Sequence, residues 1–160
     1  ARRTGWLYSD TDAMVEAFSR RTIPEIFAAD GEEGFREIEQ EMVELSVHDE
    51  KPGIIATGGG AVCSAANRAL IKQFGYVVYL QASPESLLSR LKRDSSRPLL
   101  QNDNPLSVLE NLLKKRERYY AEAHLTLSVE QKPARAVASE AWKNYCSHYP
   151  AAREISKRST

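Results

Sequence analysis

Two short runs, Gly53-Ile54-Ile55-Ala56-Thr57 and Tyr76-Val77-Val78-Tyr79-Leu80, are apolar without alternation. A strand with one wet face alternates polar and apolar residues, so these read as strands covered on both faces, as in a parallel sheet flanked by helices. Between them Ser64 to Phe74 carries helical spacing and stops at Gly75. After the second run, Ser83-Pro84-Glu85 supplies a cap, a proline at the first helical position and an acidic first turn for a helix through Leu87, Leu88 and Leu91. Strand and helix alternate, and the expected class is α/β, a mostly parallel sheet with helices on both faces.

Upstream, Trp6-Leu7-Tyr8-Ser9 reads as a strand stopped by a polar loop, Asp10-Thr11-Asp12. Met14, Val15 and Phe18 are spaced as a helix; Thr22 caps a short helix through Pro24, Ile26 and Phe27; Gly31 opens a longer one through Phe35, Ile38, Met42, Val43 and Leu45. Three helices should therefore follow the first strand. Downstream, Asp94 to Pro105 has turn-forming composition around Pro98-Leu99-Leu100 and is too long for a tight connection, so a lid is expected there. A helix from Pro105 to about Ala123, a strand Leu125 to Val129 and a helix from Pro133 to about Tyr145 complete the pattern, with a polar tail over 150–160. With 160 residues and 42% hydrophobic content, the chain suits one domain, taken as 1–149.

Charge and cysteine content narrow the partners. The 22 basic and 22 acidic residues cancel, which argues against nucleic acid and for a small molecule. Cys63 and Cys146 form no CxxC and have no nearby histidine at ligand spacing, so neither a disulfide framework nor a zinc site is expected, and a reducing cytoplasm is the simplest home. No apolar run approaches the roughly 18 residues that span a bilayer, so no membrane partner is expected.

Three features carry chemistry. Asp10 and Asp12 stand at the carboxyl end of a strand, the edge where open α/β sheets bind ligands. One carboxylate could take a substrate hydroxyl proton and the other could hold a hydrated Mg²⁺, although an isolated pair of this kind more often only caps the next helix. Gly58-Gly59-Gly60 follows a buried strand, and three consecutive glycines exceed what a simple turn needs; their amides can approach an anion or hydroxyl with no Cβ in the way. Arg36, with Glu39 three residues on to orient it, and Arg90, Arg97 and Arg116 supply planar donors of the kind an anionic substrate and a polyphosphate require, though each alone would pass for a solvated surface residue.

The pieces SDTD, IPEIFAADGEEGFREIE, ATGGGAV, SRLKRDSSRPLL and KKRERYY, in this order and at these spacings, resemble the shikimate kinase family from about Gly5 to about Trp142. Gluconate and adenylate kinases share the general architecture, but FRxxE together with GGGxV points to the shikimate family. The resemblance implies a nucleoside monophosphate kinase-like P-loop fold and ATP-dependent phosphorylation of a shikimate hydroxyl. It implies that Asp12 contacts that hydroxyl, that Asp10 lies near Mg²⁺ through water, and that Arg36 and Arg116 bind the substrate carboxylate. It further implies that Gly59, within Gly58 to Gly60, contacts substrate, that Phe35 lines the pocket, that Arg97 on the lid reaches the phosphates, that Arg90 stacks on adenine, and that Gln131 to Pro133 lie near the base.

Two departures from the family pattern stand out. Ser19-Arg20-Arg21-Thr22-Ile23 replaces the family's TGxSI stretch, and nowhere does Lys follow Gly, so the GxxxxGK[ST] phosphate loop is not in these residues. Ala1 to Gly5 match the end of the family's first helix, which suggests a natural chain that continues upstream and is monomeric when whole. Because the family's first strand lies inside the sheet, these residues by themselves are expected to leave strand edges unpaired, and neither to fold as a stable monomer nor to turn over ATP. The alternative function is a non-catalytic module that holds a small hydroxy acid.

Overall fold

The computed structural model describes residues 1, 4–49, 51–91 and 104–152. Arg97 and the expected lid up to residue 103 lie outside the described residues, as does the tail beyond 152. The chain forms two compact units, one of residues 1–76 with 149–160 and one of 77–148.

In the first unit β1 (Leu7–Asp10) runs parallel to β2 (Gly53–Ala56), with Asp10 opposite Ala56. This register brings the ends of both strands, and the segments that leave them, to one edge. The expected polar loop after β1 does not exist. The strand runs through Asp10, and α1 (Thr11–Ser19) starts at the next residue, because Asp10 has extended backbone and its carboxylate caps the helix by accepting from the amides of Asp12 and Ala13. Thr22 then opens α2 (Ile23–Val47) with a reciprocal capping box to Glu25 and a proline in the first turn.

The expected boundary at Gly31 is real: φ 72° and ψ −170° break α2 into two helical arms. That backbone region is open essentially to glycine alone. The unit's core lies where α1 meets the two arms, with Val15, Ile26, Phe35 and Met42 buried and Met14, Ile23 and Ile38 packed against them. After β2, Gly58 to Gly60 lead through a 3₁₀ turn, Ala61–Cys63, into α3 (Ala65–Phe74), capped by Ser64.

The second unit repeats the device. Here β3 (Val78–Gln81) runs parallel to β4 (Leu125–Ser128), with Gln81 opposite Ser128. Around them lie α4 (Pro84–Leu91), α5 (Pro105–Tyr120) and α6 (Ala134–His148). Its core is Ala82, Leu127, Val129 and Val137, with Val78, Leu87, Leu125 and Ala141 beside them.

The strand pairs are parallel, as expected, but full cover on both faces is not what the described residues give. Leu7 is 50% exposed, Ile54 39% and Leu80 55%. Each described sheet has two strands, so neither strand is interior to its ladder, and part of the apolar surface lacks a packing partner among the described residues.

Candidate active site

The carboxyl edge of β1 and β2 carries the first cluster. Asp10 Oδ1 holds the Asp12 amide at 3.0 Å, and its Oδ2 accepts the Tyr8 hydroxyl at 3.3 Å. The nearby negative charge of Asp10 pushes the Tyr8 phenol above its ordinary pKa. Fixed in this way, the first turn of α1 presents Asp12 toward the glycine loop: a Cβ on Gly58 would stand 2.7 Å from Asp12 Oδ1. Two residues on, a Cβ on Gly60 would overlap the Arg36 guanidinium. Gly58 and Gly60 thus leave room for these two side-chain ends, with a carboxylate against the first glycine of the loop and a guanidinium against the last. Gly59, between them, is exposed.

Arg36 is not the solvated surface residue that its sequence neighbours would allow. Its Nη1 meets Glu39 at 2.7 Å and its Nη2 meets Glu32 at 3.1 Å, with the Glu39 side chain only 2% exposed. Burial works against the guanidinium's charge, but the hydrogen bonds and charges of Glu39 and Glu32 outweigh it and hold the pKa above its usual value. Both carboxylates lie on Arg36's own helical face at i−4 and i+3, so local spacing orients the side chain before any substrate arrives.

Phe35 lies under Arg36, with the guanidinium carbon 5.1 Å from its ring centre, and stacks on Phe27 at 4.8 Å. Phe27 and Glu32 were not apparent as site residues in the sequence. Eight residues along a straight helix would separate Phe27 from Phe35 by about 12 Å. Only the break at Gly31 folds the arms so that the rings meet, and an FxxxGxxxF reading was the available signal. A cleft of about 470 Å³ opens beside Arg36 along α2 and reaches Cys63 and Ser64, but Glu32, Glu33, Glu37 and Glu39 line it. Four carboxylates make it a poor seat for an anion, so the glycine loop with Asp12 and Arg36 is the better site.

The second unit brings together another predicted group. Arg90, at the end of α4, directs Nη2 to the Val129 carbonyl at 3.4 Å, next to the loop that holds Gln131 and Pro133. Glu130 in that loop accepts the Ser83 amide at 2.6 Å, and this bond draws its carboxyl below the ordinary range. Gln131 takes the left-handed conformation, φ 52°, and the Pro133 carbonyl starts α6 by accepting from Ala136 and Val137. Arg116 is half-buried on α5.

Among the described residues no three His, Cys, Asp or Glu side chains could hold a metal ion by themselves. Mg²⁺ itself leans on one or two carboxylates, its own waters and substrate phosphates. Asp10 Oδ1 caps the helix and Oδ2 accepts the Tyr8 hydroxyl, while the buried Thr11 hydroxyl beside it lacks a protein partner, so the second lone pair of Oδ2 and that hydroxyl are the polar groups a hydrated ion would meet.

A family model for shikimate kinase matches residues 1–145. The shikimate kinase of Moorella thermoacetica is 46% identical over 140 residues, 88% of this chain and 80% of the relative, and that of Geobacter sulfurreducens is 42% identical over 140 residues, 88% and 77%. Among solved structures, a shikimate kinase from Acinetobacter baumannii in complex with shikimate matches with TM-score 0.86 and 39% identity, over 92% of this chain and 84% of that one. One from Bacteroides thetaiotaomicron matches with TM-score 0.80 and 26% identity, over 93% and 86%. The fold is therefore the nucleoside monophosphate kinase-like P-loop fold, and the glycine loop between Asp12 and Arg36 sits in a chain that belongs to the shikimate kinase family.

Proposed function

We propose that this protein transfers the γ-phosphoryl group of ATP to a ring hydroxyl of shikimate, giving shikimate 3-phosphate in aromatic amino acid biosynthesis. The observation that carries this reading is the approach of Asp12 and Arg36 to the two ends of one glycine loop, which provides a carboxylate for a hydroxyl and a guanidinium for an acid within one short segment. Arg36, and Arg116 by its match to the family pattern, hold the substrate carboxylate as charge-assisted donors. Gly58 to Gly60 let the ring approach backbone, and Phe35 covers one side of it.

Asp12 orients the hydroxyl and takes its proton as the oxygen attacks the γ-phosphorus; the bond to the β–γ bridging oxygen breaks, and ADP leaves. Most of the acceleration in such a transfer comes from placement and charge stabilisation. Arg97 closes on the phosphates. Arg90, Gln131 and Pro133 receive the adenine, a role supported by the contact of Arg90 with the Val129 carbonyl. Asp10 would hold Mg²⁺ through its waters, and the ion supplies neutralisation of phosphate charge.

Residues 1–149 act as one catalytic domain, since the family match runs through both units. The protein works as a monomer. The free thiols of Cys63 and Cys146 suit a reducing cytoplasm, and among the described residues no helix is long and apolar enough to cross a membrane.

The test is direct. Full-length protein mixed with ATP, Mg²⁺ and shikimate is followed by ³¹P NMR for the appearance of a sugar-type phosphomonoester alongside ADP. Saturable shikimate binding with no phosphomonoester would replace the kinase by the binding module.

A further inference from the structure

Behind the glycine loop, the first turn of α3 grips the chain that supports it. The 3₁₀ turn Ala61–Cys63 is too short to satisfy its own carbonyls, as the last residues of any such turn are. Two consecutive residues of α3 meet all three. Asn67 Nδ2 donates to the Ala61 carbonyl at 3.1 Å, and Arg68 Nη1 donates to those of Val62 at 2.7 Å and Cys63 at 3.2 Å. The turn is tied back to the loop in the same way, since the amides of Ala61 and Cys63 donate to the carbonyls of Gly58 and Gly60. Ser64, which caps Asn67, also reaches Gln40 on α2, one turn beyond Arg36.

Asn67 is 1% exposed, and its Oδ1 has no hydrogen-bond partner. A buried amide with one polar end unmet costs stability compared with an apolar side chain of the same shape. Packing therefore does not explain its presence; the bond to Ala61 does. Only the NH₂ end can donate to a carbonyl, so the orientation of the amide follows.

We infer that Asn67 and Arg68 are positioning residues: by holding the carbonyls of Ala61, Val62 and Cys63 they set the orientation of the Gly58 to Gly60 peptides, and through them the fit of substrate between Asp12 and Arg36. Asn67 is sealed from solvent and the Arg68 guanidinium is spent on the carbonyls of the turn, so both act through the loop. The inference rests on the shikimate kinase reading for its kinetic consequence, and on the structure alone for its effect on the loop.

The experiment uses the full-length enzyme with Asn67→Leu, which keeps volume and burial but removes the donor, and Arg68→Met, on a half-buried side chain whose loss should spare folding. Both should raise the shikimate KM roughly tenfold, the effect of about one lost hydrogen bond's worth of placement, while the ATP KM stays within about twofold. Arg68→Lys should recover part of the loss. Without ligands, the Gly58, Gly59 and Gly60 amide signals in ¹⁵N spectra should move in both variants. Wild-type shikimate KM in both folded variants, unmoved glycine amides, or a parallel rise of both KM values with a falling melting temperature would each overturn the inference. If the wild-type protein does not phosphorylate shikimate, the functional reading fails while the amide signals still test the clamp.

Discussion

The Glu39 carboxylate, 2.7 Å from Arg36 and nearly sealed from water, makes Arg36 both a binding group and a structural charge partner. Arg36→Ala should therefore cost about 3 kcal/mol of stability, the low end for a broken buried pair because the guanidinium itself is partly open to water. Its kinetic loss is confounded with that damage. Gly60→Ala tests the same contact from the loop side. The new methyl must displace the Arg36 guanidinium and so disturb its pair with the buried Glu39, so unfolding should cost about 1–3 kcal/mol, no more than Arg36→Ala, while the shikimate KM rises at least roughly tenfold because the guanidinium no longer occupies its place. A Gly60→Ala enzyme with wild-type shikimate KM would show that the Arg36 position on the loop does not matter. From the sequence, Arg36 and Glu39 were legible as a pair by their three-residue spacing. The burial of Glu39 was not, because burial depends on what packs over the helix face and not on the face itself.

Among the elements, α2 depends most on one residue. A Cβ at Gly31 would touch nothing within 4 Å, so Gly31→Ala is a test of backbone strain without steric overlap. It should cost roughly 1–3 kcal/mol by chemical denaturation and loosen the Phe27–Phe35 stack; an unchanged midpoint would mean that the arms can meet at another angle. At the other sheet edge, Glu130 ties the end of β4 to the start of α4 through the Ser83 amide, and its carboxyl titrates below the ordinary range. A carboxyl whose folded pKa is depressed adds stability above its unfolded pKa, about 4.3, and loses it as pH falls through the lower folded value. The wild type should therefore melt above Glu130→Gln at pH 7, with the gap closing as pH drops below about 4. A gap that persists at pH 3 would assign the effect to shape and not charge. Elements were legible because caps and breakers act locally: Thr22, Gly31, Ser64 and Pro84 each stand where the sequence pattern placed a boundary. The Asp10–Asp12 segment was misread as a loop because a carboxylate can end a strand and cap a helix at the same residue.

For the whole molecule, the described residues contain no metal cluster, and each unit has its own apolar core. In the proposed reaction the divalent ion comes with the nucleotide. Chelation with EDTA should stop phosphoryl transfer and leave the melting temperature where it was; a drop of more than about 2 °C would point to a structural ion. Sequence by itself determined the α/β class, the order of strands and helices, the parallel sense of the pairs and the family, because these follow from short-range periodicity, caps and ordered motifs. Tertiary structure alone decided that Asp12 and Arg36 face opposite glycines of one loop, that Phe27 meets Phe35 across a break, and that Asn67 is buried behind the loop. Those relations join segments distant along the chain through strand register and close packing, whose angles and distances no local pattern encodes.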